Sequence, residues 1–276
     1  MSGWGEISSD NKTYTSFEQN SERTKKADGA CESDDKLLFQ DPPPKLDCDI
    51  CFLPMPFTKG VCGVTTSYMP CCGKKLCLGC IAASYEEMKK GNMKNGCPFC
   101  RLELHWSDKE LLKRLDKRMK LNDVEAFYLM ALYHNNGRYG LPKDHKKAVE
   151  LWKKAAELGS VCAHSSLSTA YYCGEGVEKD QEIAMHHIKL AAIGGHEAAR
   201  YTLGVSEGND GNMDLAMKHF MIAARCGYED SLKEVGEGYK AGHVTKDEYA
   251  STLRTYQNTL HGMKSEQRAK AETYAK

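Results

Sequence analysis

Nine of the thirteen cysteines lie between Cys48 and Cys100, and eight of them form close pairs: Cys48-x-x-Cys51, Cys71-Cys72, Cys77-x-x-Cys80 and Cys97-x-x-Cys100. A pair two residues apart bends into a knuckle that points both sulfurs at one ion, and two pairs complete a tetrahedral zinc site. Eight ligands therefore make two Zn²⁺ sites. The opening MSGWGEISSDNKTY has no apolar block after a basic start, so no secretory signal is expected. In a reducing compartment such pairs read as metal ligands rather than as disulfides. Four thiolates leave no open coordination position, so both sites would be structural, and no catalytic residue is nominated. The scattered Cys31, Cys162, Cys173 and Cys226 read as small buried apolar residues.

The order of the pairs resembles the RING finger. That resemblance implies interleaving: Cys48, Cys51, Cys77 and Cys80 share one ion, while Cys71, Cys72, Cys97 and Cys100 share the other. Where the usual RING form carries Cys-Gly-His, this chain has Cys72-Gly73-Lys74. An ammonium group has no lone pair for zinc, so another residue must supply that ligand. Cys71 is the nearest candidate, and Cys62 is the alternative because adjacent side chains tend to diverge. Lys59, Lys74, Lys75 and Arg101 could offset the charge of the thiolates.

RING fingers act as ubiquitin ligases without a covalent intermediate, by holding a ubiquitin-conjugating enzyme charged with ubiquitin. The resemblance extends to three positions of their docking surface: Ile50 before the second ligand, Pro98 after the seventh and Arg101 after the last. Whether the module is an active ligase, or zinc serves only to fold a protein-recognition surface, is left open by these residues.

The elements that must carry this module are helical. SDKELLKRLDKRMKL (107–121) predicts a connecting helix, with a Ser107–Glu110 capping box and Leu112, Leu115 and Met119 on one face. Its lysines and arginines read as a solvated face, which makes nucleic acid a weak alternative partner. Beyond it the chain repeats. AVELWKKAAELG (148–159), AMHHIKLAAIGG (184–195) and AMKHFMIAARCG (216–227) each carry a double alanine near a closing glycine. Ala126, Ala163 and Ala199 mark steps of 37 and 36 residues, the period of stacked helix–turn–helix units. Small alanines let helices approach, Leu151, Trp152, Ile188 and Phe220 fill between layers, and Asp144 and Asp180 cap. The third unit has a shorter internal loop.

The G-x-G-V-x-x-D loop at Gly174, Gly176, Val177 and Asp180, with the A-x6-A-A-x-x-G helix, resembles the Sel-one-like repeats, relatives of tetratricopeptide repeats. That likeness implies a scaffold binding a protein substrate or adaptor.

The expected architecture is thus mainly α: a small zinc-stabilised RING-like module plus an α-solenoid. Residues 1–44 are polar and end in Pro42-Pro43-Pro44, which predicts a disordered tail. The RING-like module spans 45–106, the connecting helix 107–121, three repeats 122–227, and a C-terminal helical cap and tail 228–276. In that last part Thr245 and Glu248 predict a capping box, and the polar stretch past Gly262 a frayed helix. Charge is balanced, 38 basic against 38 acidic residues, so no global field draws the chain to nucleic acid or anionic lipid. No apolar run is long enough for a membrane span. An intracellular protein, cytoplasmic or nuclear, is expected.

Overall fold

The computed structural model describes residues 37–55, 66–92, 96–103 and 107–274. The cysteine module is built on one antiparallel hairpin, β1 (Thr66–Met69) and β2 (Lys74–Cys77), with Met69 opposite Lys74. Residues 70–73 form its tip. Helix α1 (Leu78–Lys89) follows β2 directly, with Cys77 as its N-cap residue. The core here is small: Leu76, Met55 and Met69 packed among cysteine sulfurs.

Helix α2 (Asp108–Met119) has the expected apolar face, with Leu115 buried and Leu111, Leu112 and Met119 packed beside it. Ser107 accepts the Glu110 N–H as its cap. The Glu110 carboxylate turns instead to Arg114 at 3.1 Å, so only half of the expected capping box forms.

Four antiparallel helix pairs follow: α3 (Val124–Asn136) with α4 (His145–Glu157), α5 (Val161–Cys173) with α6 (Gln181–Ile193), α7 (Glu197–Asn209) with α8 (Met213–Arg225), and α9 (Glu229–Lys240) with α10 (Lys246–Gly262). The alanines nominated from the repeat are buried at the contacts, apart from the half-buried Ala156, and Leu151, Trp152, Ile188 and Phe220 fill between them. Asp144 and Asp180 cap α4 and α6 through the Lys147 and Ile183 N–H groups. Gly159, Gly195 and Gly227 take φ of +91°, +92° and +97°, the left-handed step that ends the second helix of each unit. In the third pair, residues 210–212 alone join α7 to α8, which is the shorter loop the spacing requires. Thr245 and Glu248 complete their capping box at the head of α10.

Two expectations are corrected. Residues 37–44, read as part of a disordered tail, lie against the repeats. Leu38 is 3% exposed, packed among Ile188, Ala191, Ala192, Ala199 and Leu203. The short apolar triad Leu37-Leu38-Phe39 supplies the burial that the polar composition of the segment conceals. The stretch past Gly262 is no frayed end either: α11 (Glu266–Tyr274) packs on α1, and Arg268 reaches into the cysteine module. The solenoid thereby closes back on its own N-terminal module. Between them lies a cleft of about 960 Å³, bordered by Tyr68, Lys75, Arg118, Ser165, Thr169 and Glu197. Among the described residues no helix is long and apolar enough to cross a membrane.

The scattered cysteines depart from the buried reading: Cys173 is exposed, and Cys162 and Cys226 are half-buried. Cys31 falls outside the described residues.

Phe220 sits where Gly204 leaves room, since a Cβ on Gly204 would come within 2.6 Å of its ring. Phe220→Ala leaves a cavity that α7 cannot fill and should cost about 3–5 kcal/mol, read as a lowered urea midpoint of the helical signal.

His219 is buried, and burial, with Arg200 and Lys189 nearby, pulls it down to about 4. An unfolded histidine takes its proton near 6.5, so the folded chain binds fewer protons between those values. Stability present above pH 6.5 is therefore lost as pH falls toward 4. Thermal melts at pH 7 and pH 5 should show the acidic midpoint lower, and His219→Gln should shrink that difference.

Candidate metal centre

Two of the ligand pairs sit on the same backbone turn. The Cys48 carbonyl accepts the Phe52 N–H at 2.9 Å while the Cys48 N–H donates to the Leu53 carbonyl at 3.0 Å. The Cys97 carbonyl accepts the Arg101 N–H at 2.8 Å while the Cys97 N–H donates to the Leu102 carbonyl at 2.6 Å. Each turn closes on a left-handed residue, Phe52 at φ +53° and Arg101 at φ +63°.

The hairpin tip repeats the same five-residue geometry. Met69 accepts the Gly73 N–H at 2.7 Å, and Gly73 takes φ +75°. Met69 thus holds the place of a first knuckle cysteine. Cys72 holds the second, and Cys71 stands where Ile50 stands in the first turn. Adjacent sulfurs can meet because the tip offers its third and fourth positions rather than its first and fourth. Glycine at 73 leaves room for the Arg118 guanidinium, which a Cβ there would displace.

The third pair comes from another element. Cys77 ends β2 and Cys80 lies in the first turn of α1, so strand and helix together set their spacing.

The eight paired cysteines converge in two groups, Cys48, Cys51, Cys77 and Cys80, then Cys71, Cys72, Cys97 and Cys100, with sulfurs in each group within 4.8 Å of one another. Cys48 to Cys80 and Cys51 to Cys77 are 3.8 Å, and Cys72 to Cys97 is 3.9 Å. A tetrahedron with arms of 2.3 Å has edges of about 3.8 Å, whereas a disulfide closes to about 2.05 Å. All eight are free thiols. The donor set fits a tetrahedral soft or borderline divalent ion in each group. Cys62, the alternative to Cys71, lies outside the described residues, as does Lys59.

The electrostatics point the same way. Burial pushes the Cys72 thiol up to about 11, against an N–H from Lys74 and with Cys97 adding to it. Burial and neighbouring sulfurs also raise Cys71 and Cys80. At Cys48, burial is outweighed by N–H groups of Cys51, Cys77 and Ile50, which bring it to about 7. Four crowded sulfurs cannot all ionise on their own; a divalent cation removes that conflict.

Lys74 and Lys75, expected as counter-charges, are engaged elsewhere. The Lys74 ammonium donates to Asp49 at 3.0 Å and lies 5.0 Å from the centre of the Phe99 ring. It clamps the first knuckle beside the last, bringing the turns that bear Ile50 and Pro98 side by side. Lys75 pairs with Glu125 at the head of α3, at 2.5 Å. Ile50 is 37% exposed, Pro98 half-buried and Arg101 exposed.

The cation beside the first sulfur group is one that sequence reasoning missed. Arg268 of α11 donates to the carbonyls of Pro54 at 2.7 Å and Leu53 at 3.1 Å, and its Nη2 lies 3.5 Å from Cys51 Sγ. No signal local to residue 268 marks that contact, which closes across 217 positions of sequence. Arg118 was also passed over as a solvated charge. It donates to Asp123 at 2.8 Å and to the Tyr68 hydroxyl at 3.3 Å, while Tyr68 donates to Asp123 at 2.7 Å. That triad fastens β1 to the start of the repeats.

Comparison with known proteins bears on the helical part. Residues 124–160 and 163–196 match the Sel1 repeat. The α3–α4 and α5–α6 pairs are thus Sel1 repeats. The chain is 34% identical over 87 residues to an uncharacterized protein of Neisseria meningitidis, covering 32% of this chain and 18% of that one. It is 33% identical over 79 residues to chitin synthase regulatory factor 2 of Schizosaccharomyces pombe, covering 29% and 15%. The matched segments thus span less than a fifth of either relative. A Sel1 repeat protein from Oxalobacter formigenes superposes with a TM-score of 0.50 at 21% identity, over 64% of this chain and 51% of that one, a likeness of fold. The α7–α8 pair falls outside the Sel1 match, in keeping with the loop it lacks.

Native mass spectrometry of the full chain should show two bound metal ions, and Cys72→Ser or Cys97→Ser should show one. Arg268→Met should hasten loss of one ion to a chelator roughly ten-fold and leave the other unchanged.

Proposed function

We propose that this chain is a zinc-binding RING-type ubiquitin ligase whose Sel1 repeats hold a protein substrate or adaptor. The observation that carries this reading is the interleaving: the first and third cysteine pairs share one cluster and the second and fourth share the other. Zinc suits four thiolates in tetrahedral array, and its contribution here is structural. The chain's own residues then provide a docking face.

Ile50 and Pro98 supply the apolar contact for a ubiquitin-conjugating enzyme, on the two turns that Lys74 clamps together. Exposed Phe52, Phe99 and Leu102 enlarge the apolar surface of those turns, and exposed apolar clusters of this kind mark interaction sites. Arg101, with its planar fork, donates to enzyme and ubiquitin at once. Held in that way, the ubiquitin thioester meets the substrate amine directly, and no residue of this chain forms a covalent intermediate. Such a protein works inside the cell, in the cytoplasm or nucleus.

A second reading, a non-catalytic zinc-folded scaffold, is favoured by one fact: the family match lies wholly within the repeats. An autoubiquitination assay with a panel of conjugating enzymes separates the two. Wild type should form ubiquitin chains, while Ile50→Ala and Arg101→Ala should each lose most of that activity at unchanged zinc content. No product across a broad panel would select the scaffold.

A further inference from the structure

Residues 37–45 lie along the repeats as a bound peptide would. Leu38 fills an apolar pocket formed by α6 and α7. Its carbonyl accepts a hydrogen bond from Arg200, whose other nitrogen donates to the Ala192 carbonyl at 2.8 Å. Phe39 lies against His219 with ring centroids 4.9 Å apart, and Lys218 approaches its outer face. Pro42 and Pro43 pass over the turn at Gly195, and Lys45 pairs with Glu197 at 2.6 Å. Leu37 to Gln40 make one turn, closed by the Gln40 N–H on the Leu37 carbonyl at 3.2 Å, and the three prolines keep the chain after it extended, so the turn presents the Leu38 carbonyl to Arg200.

Two features are unusual for a purely structural strap. Arg200 is 2% exposed, and its guanidinium donates to two main-chain carbonyls, those of Leu38 and Ala192. A buried guanidinium aimed at a peptide carbonyl reads backbone rather than one side chain. His219 is also 2% exposed, and its Nδ1 has no partner among the described residues. Phe39 offers that imidazole no hydrogen bond, so the cis segment satisfies the groove incompletely.

We propose that the groove across α6, α7 and α8 is a docking site for a short segment of another protein that makes one turn and then runs on extended. That segment carries leucine, then an aromatic residue, then proline and a basic residue, and residues 37–45 hold the groove in cis against it. This deepens the reading that the repeats bind a partner and is independent of what the zinc module does. A tethered segment has an effective concentration of order millimolar, which masks a peptide of about 10 μM intrinsic affinity roughly 100-fold. The partner must therefore outbid the strap, and a hydroxyl or imidazole placed near His219 gives it the means.

The test uses the full chain and a labelled synthetic peptide of sequence KLLFQDPPPKL, read by fluorescence anisotropy. Wild type should bind it weakly. Leu38→Asp in the chain should empty the groove and tighten binding ten-fold or more. Adding Arg200→Met should abolish the gain, and a peptide with aspartate at its second leucine should not bind. Where Leu38→Asp lowers the helical signal, Phe39→Ala, at a partly exposed position, serves as the second opening variant. A folded opened variant that binds no better than wild type, or binds the aspartate peptide equally, overturns the proposal. So would light scattering that shows wild-type dimers exchanging straps, since the occupant would then be a second copy. Ubiquitin-transfer assays do not enter this test, so failure here leaves the ligase reading standing, and the reverse holds too.

Discussion

Four sulfurs gathered within 4.8 Å of each other are a conflict unless something positive sits among them. Each thiol that ionises raises the cost of ionising the next, and burial adds to that cost. The cysteine module has little else to hold it: Leu76 is its one fully buried aliphatic side chain among the described residues, supported by Met55 and Met69. A core of that size cannot offset the entropy of ordering several turns. Coordination of a divalent ion, of order 10 kcal/mol per structural site, would reverse the balance. The three five-residue turns, the left-handed residues that close them and the Lys74 clamp bring the sulfurs to where such an ion would sit.

The module is also held from outside, and from three directions. Arg118, Tyr68 and Asp123 pin the hairpin to the first repeat, with the Lys75–Glu125 pair beside them. Arg268 grips the first knuckle from the last helix. Residues 37–45 join it to the middle of the solenoid. A solenoid alone is quasi-one-dimensional, each unit touching only its neighbours. Here the far end returns to the near end through α11, which gives the repeats a closure that stacking would not provide.

Those tethers explain what was and was not legible in the sequence. Cysteine spacing is local, so the four pairs could be read directly. The 37- and 36-residue steps expose the helix pairs because every unit repeats the same packing problem. Asp180 and Thr245 announce helix starts within four residues of themselves. Arg268 and Leu38 carry no such pattern: their partners lie 214 and 162 positions away, and composition around them is polar. Periodicity reports which face of an element is apolar, not which distant surface will cover it. Glu110 failed as a capping partner for a related reason, since a nearby arginine competed for the same carboxylate.

Chain length couples the strap to the metal centre. Lys45, the last anchored residue of the strap, stands three positions before Cys48, and three extended residues reach about 10 Å. Leu46 accepts the Met55 N–H at 2.8 Å, which takes up part of that slack within the first knuckle itself. The strap and the first sulfur cluster therefore cannot move far independently. A segment leaving the α6–α8 groove releases one of the three tethers while Arg118 and Arg268 keep the others. The cysteine module would then stay attached to the solenoid through Arg118 and Arg268 and lose one restraint beside its first knuckle. Release of the strap would in this way be felt by the first knuckle through the shortness of a three-residue connection, with no rearrangement of the repeats.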